Sequence, residues 1–352
     1  MKRQKVLILD SHIMHYRVPI FKILAQKYDL TVGYTYGKAP DSFEPFKCIK
    51  LDVKKIWKFI FHRTNIHKLC CQYDTVICCT GIQYVNLSLL ALWKKRNFKL
   101  LYWNIGAPAS YHRKYGEASK IYYAINDFIE KRADGLISYS DTARNMHIDR
   151  GFDPHKLFVA NNTVEVPQID PERKRDCIMF IGTLYPQKGL PKLLNAYKQA
   201  LQENPNIFPL EIIGDGIMRT ELEETIEKEN LSDKIHLCGA LYTAEEKSKI
   251  FRRAYACISP GQGGLGVLES MGYGVPFITH KNAITGGEAF NIQNGVTGIR
   301  FESIRNLKEI IIDINKNPIK YEAIGINAYN HYWSCRKPQD MANGIIEAIE
   351  LS

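Results

Sequence analysis

Short apolar runs alternate with helix-like segments along most of this chain, and the alternation starts twice. KVLILD (5–10) reads as a strand, 18–28 as a helix, and DLTVGYTY (29–36) and DTVICC (74–79) as strands. A helix over 85–96, a strand at KLLYWN (99–104), a helix over 117–133 and the strand ADGLISYS follow. A helix over 142–151 and the strand KLFVANN (156–162) close the series. Continuous apolar strands separated by helices imply parallel βαβ units with both sheet faces covered.

The series halts at VPQIDPERKRD (166–176), which reads as a linker, and then restarts. CIMFIGTL (177–184), LEIIGDG (210–216), KIHLCG (234–239), ACISP (256–260) and VPFITH (275–280) alternate with helices over 188–203, 217–230 and 243–254. The expectation is an α/β chain of two Rossmann-like, doubly wound domains, 1–165 and 166–330, facing a cleft. The tail from about 304 is helical by pattern, and residues 331–352 are expected to pack back on the first domain.

In open α/β sheets ligands sit at the carboxyl ends of the strands. Four loops there share one character: GTLYPQKG (182–189), GDG (214–216), GAL (239–241) and PGQGGLG (260–266). Glycine lets a backbone N–H face an oxyanion, and a helix start adds partial positive charge. The N–H groups near Gly264 and Gly266 are candidates for a diphosphate, with Lys188 adding a full charge. Singly, GDG is an ordinary turn, Lys188 a surface lysine and Glu269 a solvated helix residue. Their order on successive strands of one sheet raises the phosphorylated-nucleotide reading above these. Neither GxxxxGK[ST] nor an N-terminal GxGxxG is present, which counts against a kinase-type ATPase and an NAD-dependent dehydrogenase.

The formal net charge of +10 is one-sided: residues 1–165 hold 26 Lys and Arg against 14 Asp and Glu, and residues 166–352 hold 21 against 23. Basic residues interleave with aromatics in KKIWKFIFHR (54–63) and WKKRNFK (93–99). No zinc finger, basic zipper or RNA-binding signature accompanies them, so an anionic membrane surface is expected rather than nucleic acid. No apolar run reaches the length of a membrane span. Nine cysteines, four of them in CCQYDTVICC (70–79), fit a buried strand in a reducing cytosol better than a zinc site.

The ordered run FIGTLYPQKGL, EIIGDG, KIHLCGAL, ISPGQGGLGVLESMGYGVPFIT and NGVTGIRF resembles the C-terminal domain of family 4 glycosyltransferases, which are retaining enzymes of the GT-B fold. ADGLISYS and GFDPHKLFVANN resemble the end of that family's N-terminal domain more weakly. The resemblance implies transfer of a sugar from a nucleoside diphosphate sugar, a UDP- or GDP-sugar, to a hydroxyl without a metal. It assigns Glu269 to the ribose and Lys188 to the diphosphate. Gly182, Thr183, Gly214, Gly261, Gly263, Gly264, Leu265 and Gly266 fall in the phosphate loops, and Gly239 and Ala240 near the base. Two positions depart from the family. Gly261 stands where the first glutamate of Glu-x7-Glu contacts the donor sugar, and Thr183 stands where an arginine is usual. Gln262 is the candidate replacement for the sugar contact.

The first domain is expected to hold the acceptor, a growing surface glycan on a lipid carrier at the inner face of the membrane. His12, His15, Tyr16 and Arg17 follow the first strand, and Asn104 and His112 lie in the loop where the family often carries a histidine. No single base is chosen among them. A sugar-nucleotide epimerase and a non-catalytic nucleotide-sugar-binding subunit remain alternatives.

Overall fold

A computed structural model describes residues 3–40, 45–79, 81–93, 95–108, 114–170 and 173–352. The chain divides into two compact units, Met1–Pro108 with Gly116–Val164 and Lys337–Ser352, and Ala109–Tyr115 with Glu165–Arg336.

The strands of the first unit are β1 (Lys5–Asp10), β2 (Asp29–Tyr34), β3 (Lys47–Lys50), β4 (Val53–Ile56), β5 (Phe59–His62), β6 (Thr75–Cys78), β7 (Lys99–Asn104), β8 (Gly135–Ser138) and β9 (Leu157–Val159). Seven of them form a sheet in the order β3-β2-β1-β6-β7-β8-β9, parallel throughout. Its helices are α1 (Val18–Lys27), α2 (Ile66–Cys70), α3 (Val85–Leu89), α4 (Lys120–Glu130) and α5 (Asp141–Asp149). The central strands are apolar on both faces and fully buried, as with Val6, Leu7, Ile8 and Leu9, because helices cover both sides.

In the second unit β10 (Cys177–Ile181), β11 (Leu210–Ile213), β12 (Ile235–Gly239), β13 (Ala254–Ile258), β14 (Phe277–His280) and β15 (Gly298–Phe301) form a parallel sheet in the order β12-β11-β10-β13-β14-β15. The helices are α6 (Leu190–Glu203), α7 (Arg219–Lys228), α8 (Ala244–Phe251), α9 (Gly266–Gly272), α10 (Asn306–Lys316) and α11 (Pro318–Cys335). The chain reverses direction along the sheet between β10 and β13, which sets their loops side by side. The last helix, α12 (Pro338–Leu351), belongs to the first unit, where it packs on α1, β8 and β9. Gly344 makes the approach possible, since a Cβ there would stand 2.2 Å from the Val159 carbonyl oxygen. The change of unit falls at Lys337, because α11 runs unbroken to Cys335 against α9 and β13.

Three local expectations need correction. The helix expected over 85–96 stops at Leu89, continues as a 3-10 turn at Leu90–Leu92, and leaves at Trp93. Trp93 turns out to stack on His67, with centroids 3.8 Å apart, and Arg96 donates to the carbonyls of Ala91 and Trp93. The stretch 47–62 adds the edge strand β3 and an antiparallel hairpin of β4 and β5 that the periodicity did not reveal. The stretch read as a linker is strapped to the second unit. Arg173 donates to the carbonyls of Arg252, Phe251 and Tyr273, and Arg175 to those of Ala254 and Gly274. The four cysteines of 70–79 are free thiols, and burial pushes Cys70 up to about 12.

Candidate active site

Three loops at the carboxyl end of the second sheet are knitted together through backbone. Gly182 N–H donates to Ile213 O at 3.0 Å, Leu184 N–H to Asp215 O at 2.9 Å, and Met218 N–H to Leu184 O at 3.1 Å. Gly214 N–H donates to Gly239 O at 2.8 Å. Gly261 N–H donates to Lys188 O at 3.0 Å, which joins the loop after β13 to the loop after β10. The approach is close enough to require glycine. A Cβ on Gly214 would stand 1.9 Å from Gly182 O, and one on Gly261 2.0 Å from Gln187 O.

This knitting redistributes the residues proposed from sequence. The N–H groups of Gly182, Gly214 and Gly261 are spent inside the protein, and that of Gly263 donates to Ile284 O at 2.8 Å. Among the described residues no acceptor is found for the N–H groups of Gly264, Leu265 and Gly266, at the start of α9. These are the donors that any helix start leaves unsatisfied. Thr183 is exposed and Ala240 half-buried, both on the rim. Gln262 is held by Ser259 Oγ, which donates to its carbonyl at 2.9 Å, and its side-chain Oε1 is buried without a partner.

Lys188 closes the 3-10 turn Pro186–Lys188 and folds under the first loop, its Nζ 3.0 Å from where a Gly182 Cβ would be. Burial holds its ammonium below the usual lysine range, and the charges of Cys257 and Glu288 pull it back up. No carboxylate lies within ion-pair distance of it among the described residues. A desolvated cation that makes no ion pair of its own is a candidate for holding an anion.

Glu269 lies one turn into α9 and is 9% exposed. Its Oε1 accepts from Lys247 Nζ of α8, a partner that the sequence did not disclose because 22 residues separate them. Glu288 was also missed. It is buried beside β14 and accepts from Gly286 N–H at 3.0 Å. The adjacent glycines in ITGGEA were the signal that would have found it.

The corresponding end of the first sheet is built from side chains. Arg17 is 4% exposed, and its guanidinium carbon lies 5.2, 4.9 and 4.8 Å from the ring centroids of Tyr16, Trp103 and Tyr139. Its Nη1 lies 2.9 Å from Met341 Sδ on α12. Asp10 ends β1 nearby, and burial raises its carboxyl against the pull of Ser11 N–H and the Arg17 charge. His12 and His15 are exposed; His12 tilts on Tyr36 at 5.4 Å and His15 meets Tyr16 edge-on at 5.5 Å. Asn104, proposed as catalytic, spends its amide on the scaffold. Its Nδ2 donates to Glu130 Oε1 at 2.9 Å and its Oδ1 accepts from Gly106 N–H at 2.7 Å. His112 lies outside the described residues.

Comparison with known proteins follows the same division. The sequence profile of the family "Glycosyl transferases group 1" matches residues 162–331. A 41.2 kDa protein of the cps region of Klebsiella pneumoniae is 28% identical over 209 residues, which cover 54% of this chain and 55% of that protein. The chain spans about half or less of the curated relatives it matches, 55%, 38% and 41% for three of them. Among solved structures, Anabaena HepE in complex with UDP and glucose superposes with a TM-score of 0.72 at 16% identity, covering 98% of this chain and 99% of that one. A glycosyltransferase from Rickettsia africae gives 0.75 at 14% identity, covering 100% and 99%. The chain thus has the GT-B fold, two Rossmann-like α/β domains, and its residues 162–331 are similar to the Glycosyl transferases group 1 family.

Proposed function

We propose that this protein is a glycosyltransferase that binds a UDP- or GDP-sugar on its second unit and transfers the sugar to a hydroxyl with retention of configuration. The observation that carries the reading is the desolvated Lys188, which makes no ion pair among the described residues, on the same loop assembly as the open N–H groups of Gly264, Leu265 and Gly266. In this reading those groups hold the diphosphate, and Glu269 accepts from the ribose through Oε2 while Lys247 holds Oε1. As the bond from the sugar C1 to the diphosphate oxygen breaks, negative charge grows on that oxygen, and Lys188 with the N–H donors stabilises it in place. The acceptor hydroxyl forms its new bond to C1 on the same face, and its proton passes to the leaving diphosphate. No protein nucleophile is needed, and in this reading Lys188 supplies the positive charge for the leaving diphosphate.

The acceptor is a growing surface glycan on a lipid carrier, handled by the first unit at the inner face of the membrane. The basic excess of residues 1–165 supports this part, as does the cps-region relative. One observation favours the second reading, a nucleotide-sugar-binding subunit without transfer. Gly261 cannot carry the family's glutamate while its loop closes on Gln187, so one donor-sugar contact is missing. A thermal-shift screen across UDP-, GDP-, ADP- and CDP-sugars identifies the donor, and a hydrolysis assay with that donor follows, with and without EDTA. Slow hydrolysis that survives EDTA supports the transferase. Binding without any turnover supports the subunit, and no shift with any donor removes both.

A further inference from the structure

The first unit exposes large apolar side chains on a run of elements that pack one on the next. At the tip of the β4–β5 hairpin Ile56, Trp57 and Phe59 are 52, 75 and 42% exposed. Strand β5 packs on α3, which leads into the 3-10 turn at Leu90–Leu92 that packs on α4. That path carries exposed Leu89, Leu92 and Trp93. On α4 itself Ile121, Ile125 and Phe128 are exposed and, at i, i+4 and i+7, share one face. An amphipathic helix ordinarily turns that face inward; here it points to solvent. The exposed apolar side chains of the second unit, among them Ile217, Tyr242 and Ile319, fall on separate segments instead. Scattered exposure needs no explanation, whereas exposed apolar groups gathered on adjoining elements point to an interaction surface.

The charge around the band names the partner. From residue 53 to residue 116 the sequence holds eleven Lys and Arg and one acidic residue, Asp74. Lys54, Lys55 and Lys58 are exposed on the hairpin, and Lys58 Nζ lies 4.9 Å from the Trp57 ring. The Arg132 guanidinium lies 3.5 Å from the Phe128 ring at the end of α4. Each pair places a cation beside a ring on the rim of the apolar strip, the arrangement that suits a headgroup layer over acyl chains. Trp57 also occupies a left-handed turn position, φ 53°, where glycine or asparagine sits without strain. A self-complementary contact between two copies would bring one lysine row against another, which opposes a dimer here.

We propose that this band is a membrane-docking surface that seats on an anionic lipid bilayer, with Trp57, Ile125 and Phe128 entering the boundary between headgroups and acyl chains. The inference deepens the membrane part of the reading above and is independent of transfer chemistry, since the donor residues lie on the other unit.

The test uses the full chain and phosphatidylcholine vesicles with or without phosphatidylglycerol, in the absence of donor. The protein should pellet with the anionic vesicles, and brominated acyl chains should quench its tryptophan fluorescence. Trp57→Phe should remove much of that quenching. Ile125→Ser with Phe128→Ser should weaken binding by roughly tenfold or more. Reversing Lys54, Lys55 and Lys58 to Glu should weaken it by roughly a hundredfold. Ile319→Ser, on α11, should change nothing. Thermal midpoint and donor affinity of each variant report whether the fold and the second unit are intact. Equal pelleting with neutral vesicles, or variants that bind as wild type, overturns the proposal. So does a dimer in solution that the α4 variants dissolve, or duplex DNA or RNA that competes with the vesicles through the same residues. Vesicle binding lost with donor binding kept removes this inference alone; the converse removes only the transferase reading.

Discussion

The carboxyl ends of the two sheets, where the two ligands are proposed to bind, are built from different materials. In the second unit the surface is backbone: loops after β10, β11 and β13 hold one another by N–H to carbonyl bonds, and Lys188 and Glu269 add charge. In the first unit it is side chain: Arg17 boxed by Tyr16, Trp103 and Tyr139, with Asp10 beside it. Backbone donors suit a diphosphate that every donor shares. Side chains suit an acceptor that differs from one enzyme to the next. The comparison also separates two uses of glycine. Gly214 and Gly261 exist so that loops can touch, whereas Gly264 and Gly266 leave N–H groups open.

The largest expected effect breaks the backbone surface. Gly261→Glu restores the residue common in the family, yet its Cβ would collide with Gln187 O. It should abolish measurable donor binding and cost about 3 kcal/mol of stability. Calorimetry and denaturant unfolding check both, and improved donor affinity would show that the loop yields.

Next comes Lys188→Ala, which should lower kcat by roughly 100- to 1000-fold and donor affinity by much less. A rate within twofold of wild type at saturating donor would show that the charge is not used. The pH dependence follows from the depressed ammonium. Burial lowers its folded-state pKa below the unfolded value, so the unfolded chain binds more protons between the two and stability rises with pH across that window. Below the window the charged form carries the full burial cost. Lys188→Met should therefore raise the thermal midpoint at neutral pH while lowering turnover as Lys188→Ala does, and wild-type turnover should fall on the alkaline side before an ordinary lysine would titrate. A lower midpoint for the Met variant would show that the attraction of the Glu288 charge outweighs the burial cost.

Glu269→Gln should weaken donor binding by roughly tenfold to a hundredfold. A 2′-deoxyribose donor should suffer less, because one partner hydroxyl is already gone. Lys247→Met should produce a smaller loss of the same kind, since Lys247 acts through Glu269. If Lys247→Met costs more than Glu269→Gln, Lys247 itself meets the donor.

The smallest effect on donor binding tests the other side. Arg17→Met removes the boxed cation and should cost about 1–3 kcal/mol of stability. Donor affinity should stay within twofold, because every Arg17 contact lies in the first unit. A donor affinity that falls with it would end the division of labour between the two sheets.

The alternation of apolar runs with helices determined the two parallel sheets, because a strand buried on both faces leaves a continuous apolar signature in its own residues. Glycine at successive strand ends, a lysine in the first loop and a glutamate one turn into α9 marked the candidate donor side for the same reason: each signal is local. What each group does was decided only in three dimensions. Gly261 and Lys188 meet across more than seventy positions, Lys247 and Glu269 across 22, and Arg17 and Met341 across 324. No local pattern encodes such pairings. Asn104 reads as a cleft residue until Glu130 and Gly106 are seen to hold its amide. The basic, aromatic stretch 54–63 announced a surface, but only folding made it a hairpin and joined β5 through α3 and the 3-10 turn to α4. Composition and periodicity are properties of neighbours in sequence; which donor is left open, and which charge is left without its partner, are properties of neighbours in space.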